Sequence, residues 1–356
     1  MINLLRKILF PFAILYGFIT SIRNFLYDKG ILKSYAFDVP IIAVGNLSVG
    51  GTGKTPQIEY LIRLLSPKYK VATLSRGYKR QSKGFVLADS NSNAEILGDE
   101  PFQFYTKFDN IQVAVDTDRK NGIEQLLSQS EKPDVILLDD AFQHRKINAG
   151  FYILLTSYGD LYSDDYMLPT GNLRESRRGA KRANMIIVTK CPANLPLDEQ
   201  NKIRRFLLRR TRGQSKNWRS NDKGKNQELY FSFIDYDEFV YSEDKTMKVD
   251  EIRNVDKLLL AGIAKPDPFF LYLQSEKDEC LTYPDHYHFT EKDLLEIEHK
   301  AQNKLIITTE KDFVRLKGRL PKEQLFYLPI RSSFLSASDN FDKTILNYVG
   351  TSTRNR

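Results

Sequence analysis

Short runs of apolar residues, broken only by Thr73, recur along this chain, and several end abruptly in polar or charged ones. They lie at 41–44, 71–74, 113–115, 135–138, 152–155 and 185–188. Each is too short for a core helix, and none alternates as a strand with one wet face does. They predict strands buried on both sides, as in a parallel sheet. Between them are segments able to form helices, one continuing through 60–65 to end near Pro67 and one opened by Gly98-Asp99-Glu100-Pro101. Residues 79–94 read as a polar hairpin or loop, and 207–227 as a basic, flexible loop near a boundary. Two further strands, at 229–234 and 239–241, flank an acidic turn and predict a two-strand hinge. A second α/β pattern follows, with strands at 257–262, 305–308 and 324–328 and helices at 266–273 and 290–300. The expected architecture is an α/β fold with a parallel sheet covered by helices and a second, smaller α/β unit. The expected boundaries are an N-terminal helix at 1–27, a core domain at 28–227, a hinge at 228–246 and a smaller domain at 247–356.

The first apolar strand runs into Gly50-Gly51-Thr52-Gly53-Lys54-Thr55. Triphosphate binding asks for this order: glycines let backbone N–H groups approach phosphate oxygens, and the following helix N-terminus adds donors and partial positive charge. Lys54 is placed to reach the β- and γ-phosphates, and the Thr55 hydroxyl to ligate Mg²⁺. The strict G-x-x-x-x-G-K-[ST] pattern has glycine where Ser48 stands, and a ligand-free glycine turn is the competing reading. With the loop, the fold expectation becomes a P-loop NTPase-like sheet.

Other candidates stand at strand ends. Asp139 and Asp140 follow the run 135–138; adjacent carboxylates repel unless a cation lies between them, which points to Mg²⁺ rather than a bare structural role. Arg76 follows the run 71–74, on the ligand-facing edge of an open sheet or simply on the surface. Asp99 and Glu100 either complement a helix dipole or take part in chemistry. Tyr283-Pro284-Asp285-His286-Tyr287-His288-Phe289 holds two of the chain's four histidines. It reads as a metal site, an aromatic turn, or an Asp–His pair supporting a general base.

Composition narrows the setting. The 356 residues are 41% hydrophobic and 28% charged, ordinary for a globular chain of two domains. A net charge of +8 fits nucleic acid, an anionic membrane surface or a phosphorylated substrate, but the basic residues are dispersed and match no nucleic-acid motif. Two isolated cysteines, Cys191 and Cys280, indicate neither disulfides nor zinc. In residues 1–27, Arg6 and Lys7 precede an apolar run at 8–20 that Pro11 interrupts, and Arg23 follows. The run is short for a bilayer span and lacks a small-residue cleavage site. A buried helix and a helix in the membrane interface both remain; the flanking cations and Phe10, Phe12, Tyr16 and Phe18 favour the interface.

With these residues in view, the chain resembles the tetraacyldisaccharide 4'-kinase family of lipid A biosynthesis. The matching pieces are VGNLSVGGTGKTP, LSRGY, LGDEP, DTDR, LLDDAFQH, LPTGNLRES, VTK, AGIAKPDPFF, PDHYHF and TTEKDFVRL, in order from about Val44 to Leu316. The family's own loop is GN-x₃-GGTGKTP, which accounts for Ser48. The chain departs at Ala141, where glycine is usual, and in its basic loop.

The resemblance implies transfer of the ATP γ-phosphoryl group to the 4'-hydroxyl of a membrane-embedded tetraacyl-disaccharide 1-phosphate, with Mg²⁺ held by Thr55, Asp139 and Asp140. It places Asp99 and His286 as a dyad near the acceptor hydroxyl; Glu100 is left open between Mg²⁺ and the dyad. Arg76, Arg119 and Arg174 become candidates for neutralising phosphate. The expected partners are the lipid A disaccharide precursor and the anionic membrane surface, with no nucleic acid and no obligate protein partner. The expected location is the cytoplasmic face of the bacterial inner membrane. The rival class is a membrane-associated P-loop NTPase switch or targeting factor, told apart by whether turnover needs a glycolipid acceptor or a protein.

Overall fold

The computed structural model describes residues 6, 8–212, 227–285 and 287–354. Among these the strands form two sheets. The larger has nine: β1 (Ile41–Asn46), β2 (Val71–Ser75), β3 (Val86–Leu87), β4 (Ile111–Val115), β5 (Val135–Leu138), β6 (Phe151–Ser157), β7 (Met185–Thr189), β8 (Glu228–Tyr236) and β15 (Ile330–Phe334). Their spatial order is β15-β8-β7-β6-β1-β5-β2-β4-β3. The seven inner strands are mutually parallel, and antiparallel β15 and β3 close the two edges. β1, β2, β5 and β7 are buried along their whole length, which is why their sequences are apolar but for Thr73 and the polar residues at their carboxyl ends.

Helices precede or alternate with these strands along the chain. They are α1 (Phe10–Asp28), α2 (Lys54–Leu65), α3 (Ala94–Leu97), α4 (Asp99–Lys107), α5 (Arg119–Leu127) and α6 (Leu197–Arg212). α2 starts from Gly53 in the left-handed region (φ 80°), a conformation that glycine adopts without a Cβ penalty. The smaller sheet has the order β10-β9-β14-β13-β11-β12, from β9 (Phe239–Tyr241), β10 (Thr246–Lys248), β11 (Lys257–Ala261), β12 (Glu279–Thr282), β13 (Leu305–Thr309) and β14 (Leu325–Leu328). Helices α7 (Val249–Ile252), α8 (Asp267–Leu273), α9 (Glu291–Ala301) and α10 (Glu310–Leu316) accompany it, and α11 (Ser338–Arg354) ends the described chain. The architecture is α/β with two parallel-dominated mixed sheets.

The chain leaves the larger sheet after β8 and returns at β15. The two crossings lie side by side, with the Asp237 N–H donating to the Pro329 carbonyl at 3.1 Å. Three sequence expectations change here. The strands expected to pair as a hinge, 229–234 and 239–241, lie in different sheets: β8 pairs with β7 and β15 in the larger, β9 with β10 and β14 in the smaller. Residues 330–354, counted with the smaller unit, rejoin the larger sheet: Phe341, Ile345 and Val349 form a fully buried i, i+4, i+8 stripe in the core with Ile42 and Ile58. Residues 207–212, expected as loop, continue α6, because Ile203, Phe206 and Leu207 recur at helical spacing and pack on the sheet. The rest of that expected loop, 213–226, lies outside the described residues.

Candidate functional site

The carboxyl ends of the parallel strands form one polar edge. At its centre the chain runs from β1 to β2, β4 and β5 on one side and to β6, β7 and β8 on the other. The crevice beside β1 is thus a topological switch point, where open α/β sheets bind ligands. The glycine turn after β1 occupies it. Close approach makes Gly45 necessary within β1, since a Cβ there would lie 2.7 Å from Cβ of Phe142.

Three successive carbonyls of the turn are held from neighbouring strand ends. Asn46 Nδ2 donates to the Gly50 carbonyl at 3.4 Å and to Thr52 Oγ1 at 2.9 Å. Lys190 Nζ donates to the Gly51 carbonyl at 2.6 Å, and Thr189 Oγ1 to the Thr52 carbonyl at 2.8 Å. Lys54 opens α2, with Thr55 next. Lys54 Nζ stands 3.7 Å from Asp140 Oδ1, across the crevice from its own strand.

The two carboxylates after β5 differ. Asp139 is buried and its Oδ1 has no hydrogen-bond partner. Burial, and then the nearby charge of Glu100, push its carboxyl up to about 7. Asp140 adopts a left-handed backbone (φ 47°), rare for a residue with a side chain, and its carboxylate meets Arg174. The guanidinium grips it with two bonds, NH1 to Oδ2 at 3.0 Å and NH2 to Oδ1 at 2.8 Å. Burial raises the Asp140 carboxyl, but the Arg174 hydrogen bonds, with Lys54 and Arg119, outweigh it and hold it at about 2. Ala141, where the resembled family has glycine, is buried and is not left-handed, so its methyl is accommodated.

The three candidate arginines part company. Arg174 is at the site, and also donates to Asn46 Oδ1. Arg76 is exposed at the end of β2, on the same edge. Arg119 is 3% exposed and donates to the carbonyls of Asp116 (2.8 Å) and Asp139 (3.0 Å). It braces two strand ends from below, which sets it apart from the phosphate-facing position expected of it.

Asp99 is the first residue of α4 and binds Arg315 of α10, on the smaller sheet's side. Arg315 NH1 also reaches the Tyr287 carbonyl at 3.5 Å, and Asp285 pairs with Lys311 at 3.1 Å. His286 itself lies outside the described residues. A second bridge between the units is buried: Lys107 of α4 meets Glu59 of α2 at 2.8 Å and Glu310 of α10 at 2.6 Å. Arg315, Lys107, Glu59 and Glu310 were missed from sequence. The TTEKDFVRL segment contains two of them, but no local pattern marks them as cross-unit partners. Among the described residues, no three His, Cys, Asp or Glu side chains are close enough to enclose a metal ion. No described helix is long and apolar enough to cross a membrane.

The fold and this edge define an α/β protein whose glycine turn, lysine, arginine and paired carboxylates converge on one crevice. The family described as Tetraacyldisaccharide-1-P 4'-kinase matches residues 5–350, and the chain belongs to it. Among its relatives, the tetraacyldisaccharide 4'-kinase of Flavobacterium psychrophilum is 66% identical over 99% of both chains. That of Bacteroides thetaiotaomicron is 42% identical over 99% of this chain and 95% of its own. The fold is similar to a crystal structure of LpxK from Aquifex aeolicus in complex with ATP, with a TM-score of 0.74 and 28% identity over 97% of this chain and 99% of that one.

Proposed function

We propose that the crevice binds ATP through a P-loop-like turn and passes its γ-phosphoryl group to the 4'-hydroxyl of a tetraacyl-disaccharide 1-phosphate. The activity follows from family membership. The observation that carries the site assignment is the convergence of Lys54 and Arg174 on Asp140 beside the turn. With the turn's carbonyls tied back to Asn46, Thr189 and Lys190, the turn is held open toward a ligand from the crevice side. Lys54 and an exposed arginine such as Arg76 neutralise charge that develops on phosphate oxygens in a loose transition state. Arg119 contributes indirectly, by fixing the strand ends.

The residues fit Mg²⁺. Asp139 has a buried carboxylate oxygen with no partner, and a hard cation is the natural complement. Mg²⁺ takes one or two carboxylates, with phosphate and water oxygens completing its shell, so no all-protein cage is needed. Asp139, Asp140 and the Thr55 hydroxyl would hold it, and it would supply positive charge to offset that of the phosphates. Glu100 supports the same reading through its electrostatic contact with Asp139.

In the transfer step the acceptor oxygen bonds to the γ-phosphorus while the bond to the β,γ-bridging oxygen breaks. The hydroxyl proton passes to His286, with Asp99 stabilising the resulting imidazolium. The contacts of Arg315 with Asp99 and with the Tyr287 carbonyl, one residue from His286, support this pairing across the units. The smaller sheet and its helices then act as a lid on the crevice, hinged on the paired crossings near Asp237 and Pro329.

The lipid acceptor calls for a membrane surface. α1 exposes Phe12, Phe18 and Ile19 at 57–63%, an apolar face that a lipid interface would cover. Arg6, Arg23 and Lys29, on or beside this helix, fit anionic lipid, in keeping with work at the cytoplasmic face of the inner membrane without an obligate protein partner. Incubation with γ-labelled ATP and a panel of lipid A precursors tests the assignment. Label should appear on the 4'-position of the tetraacyl-disaccharide 1-phosphate; ATP hydrolysis stimulated by protein and independent of glycolipid would favour a switch instead.

A further inference from the structure

α1 has two unlike faces. Its apolar face points away from the fold, while its polar side, from Tyr16 to Asp28, lies on two loops. The first loop follows Asp140: Arg145 donates to the Asn24 carbonyl at 2.7 Å and to Asp28 Oδ1 at 2.6 Å. The second contains Arg174 and Glu175: Tyr16 OH donates to the Arg174 carbonyl at 3.0 Å, and Asn24 Nδ2 to Glu175 Oε2 at 2.8 Å. The first loop begins at Asp140 itself, and the second reaches its carboxylate through Arg174.

Glu175 is fully buried, so its carboxylate depends on having its acceptor sites filled. Oε1 accepts from Arg182 NH2 at 2.7 Å and from Gln143 Nε2 at 3.2 Å. Gln143 Nε2 also donates to the Asn46 carbonyl at 2.7 Å, where β1 ends and the glycine turn begins. Asn24 serves the other oxygen. A continuous polar network thus runs from α1 through Glu175 and Gln143 to Asn46. The residue before Glu175 is the one that grips Asp140.

We infer that α1 is a positioning element of the phosphate site, with Tyr16 and Asn24 setting the Arg174–Glu175 turn and, through it, the Asp140 carboxylate. The inference rests on the reading of Asp140 as part of the phosphate and Mg²⁺ site. The helix that meets lipid on one face then organises the chemistry with the other.

Tyr16→Phe and Asn24→Ala in the full chain test this. Binding of a fluorescent ATP analogue is followed across a Mg²⁺ titration, and flotation with vesicles of phosphatidylethanolamine and phosphatidylglycerol is measured alongside. Both variants should need about 10-fold more Mg²⁺ for half-maximal nucleotide binding, the lower end of the usual cost of disturbing residues behind metal ligands. Their vesicle binding should match the parent. Asp140→Asn is the reference. Parent-like Mg²⁺ dependence in both variants, with Asp140→Asn shifted, overturns the inference and leaves the site standing. Parent-like behaviour of Asp140→Asn as well overturns the site reading and the inference with it. Tyr16→Phe keeps the ring and removes only the hydroxyl, so it reports on the contact even where Asn24→Ala does not fold.

Discussion

Arg174 holds both carboxylate oxygens of Asp140, at 3.0 and 2.8 Å, across 34 residues of chain. A planar guanidinium can make this fork and a lysine ammonium cannot. Arg174→Lys is therefore expected to lose most of what Arg174→Ala loses, with kcat for transfer down about 10–100-fold in each. Steady-state kinetics check this; a lysine variant at parental rates would show that the position needs charge alone.

Lys54 contributes an ammonium to a turn whose shape is set by backbone contacts and by Asn46, Thr189 and Lys190. Lys54→Ala should leave thermal unfolding near that of the parent while cutting transfer about 10²-fold or more, as loss of a preorganised charge does. Single-turnover label transfer at saturating ATP measures it. Near-normal turnover would remove Lys54 from the chemistry.

The apolar face of α1 invites a change that spares its polar side. Phe12, Phe18 and Ile19 are exposed, so replacing all three with Gln should not weaken the fold. Each apolar side chain is worth about 1.5–3 kcal/mol when fully buried, so vesicle binding should fall at least 100-fold even with partial insertion. Nucleotide affinity without lipid should be unchanged. Undiminished flotation would mean that the face meets something other than lipid.

Asp99 and His286 are expected to act as a unit. Asp99→Ala and His286→Ala should each lower kcat by about 10²–10⁴-fold with little change in ATP affinity. The double variant should lose little more than either single one, because a joint contribution is lost once. Fully multiplicative losses would separate the two residues.

Glu310 meets Lys107 in a buried contact that also holds Glu59 and lies near Arg63. Burial, then the Glu59 charge, raise its carboxyl from an ordinary 4.5 to about 7. A raised folded-state value makes its contribution to stability complete below pH 4.5, and that contribution is lost as pH rises through about 7. Glu310→Gln should flatten this part of the stability profile, read as Tm from about pH 5 to pH 8. An unchanged slope in the variant would mean that the carboxylate is charged throughout.

Most strands of both sheets were legible in the sequence because burial on both faces leaves a local mark, a run of apolar residues; β3, β10, β12 and β15, which are only partly buried, carry no such run and were missed. Asp139, Asp140, Arg76 and the glycine turn could be placed at strand ends for the same reason, and the edge brings them together. Burial of a charged group leaves no such mark, so Arg119, an arginine after a strand, read like Arg76 until packing turned it inward. The return of 330–354 to the larger sheet, the contacts of α1 with Arg174 and Glu175, and the Lys107 bridge join residues about 50 to more than 300 positions apart. Periodicity reports which face of an element is apolar, and has no term for which distant partner a polar group meets. The chemistry's residue types were set along the chain; which of them share a site, and which only hold it, was decided when the two sheets and α1 packed.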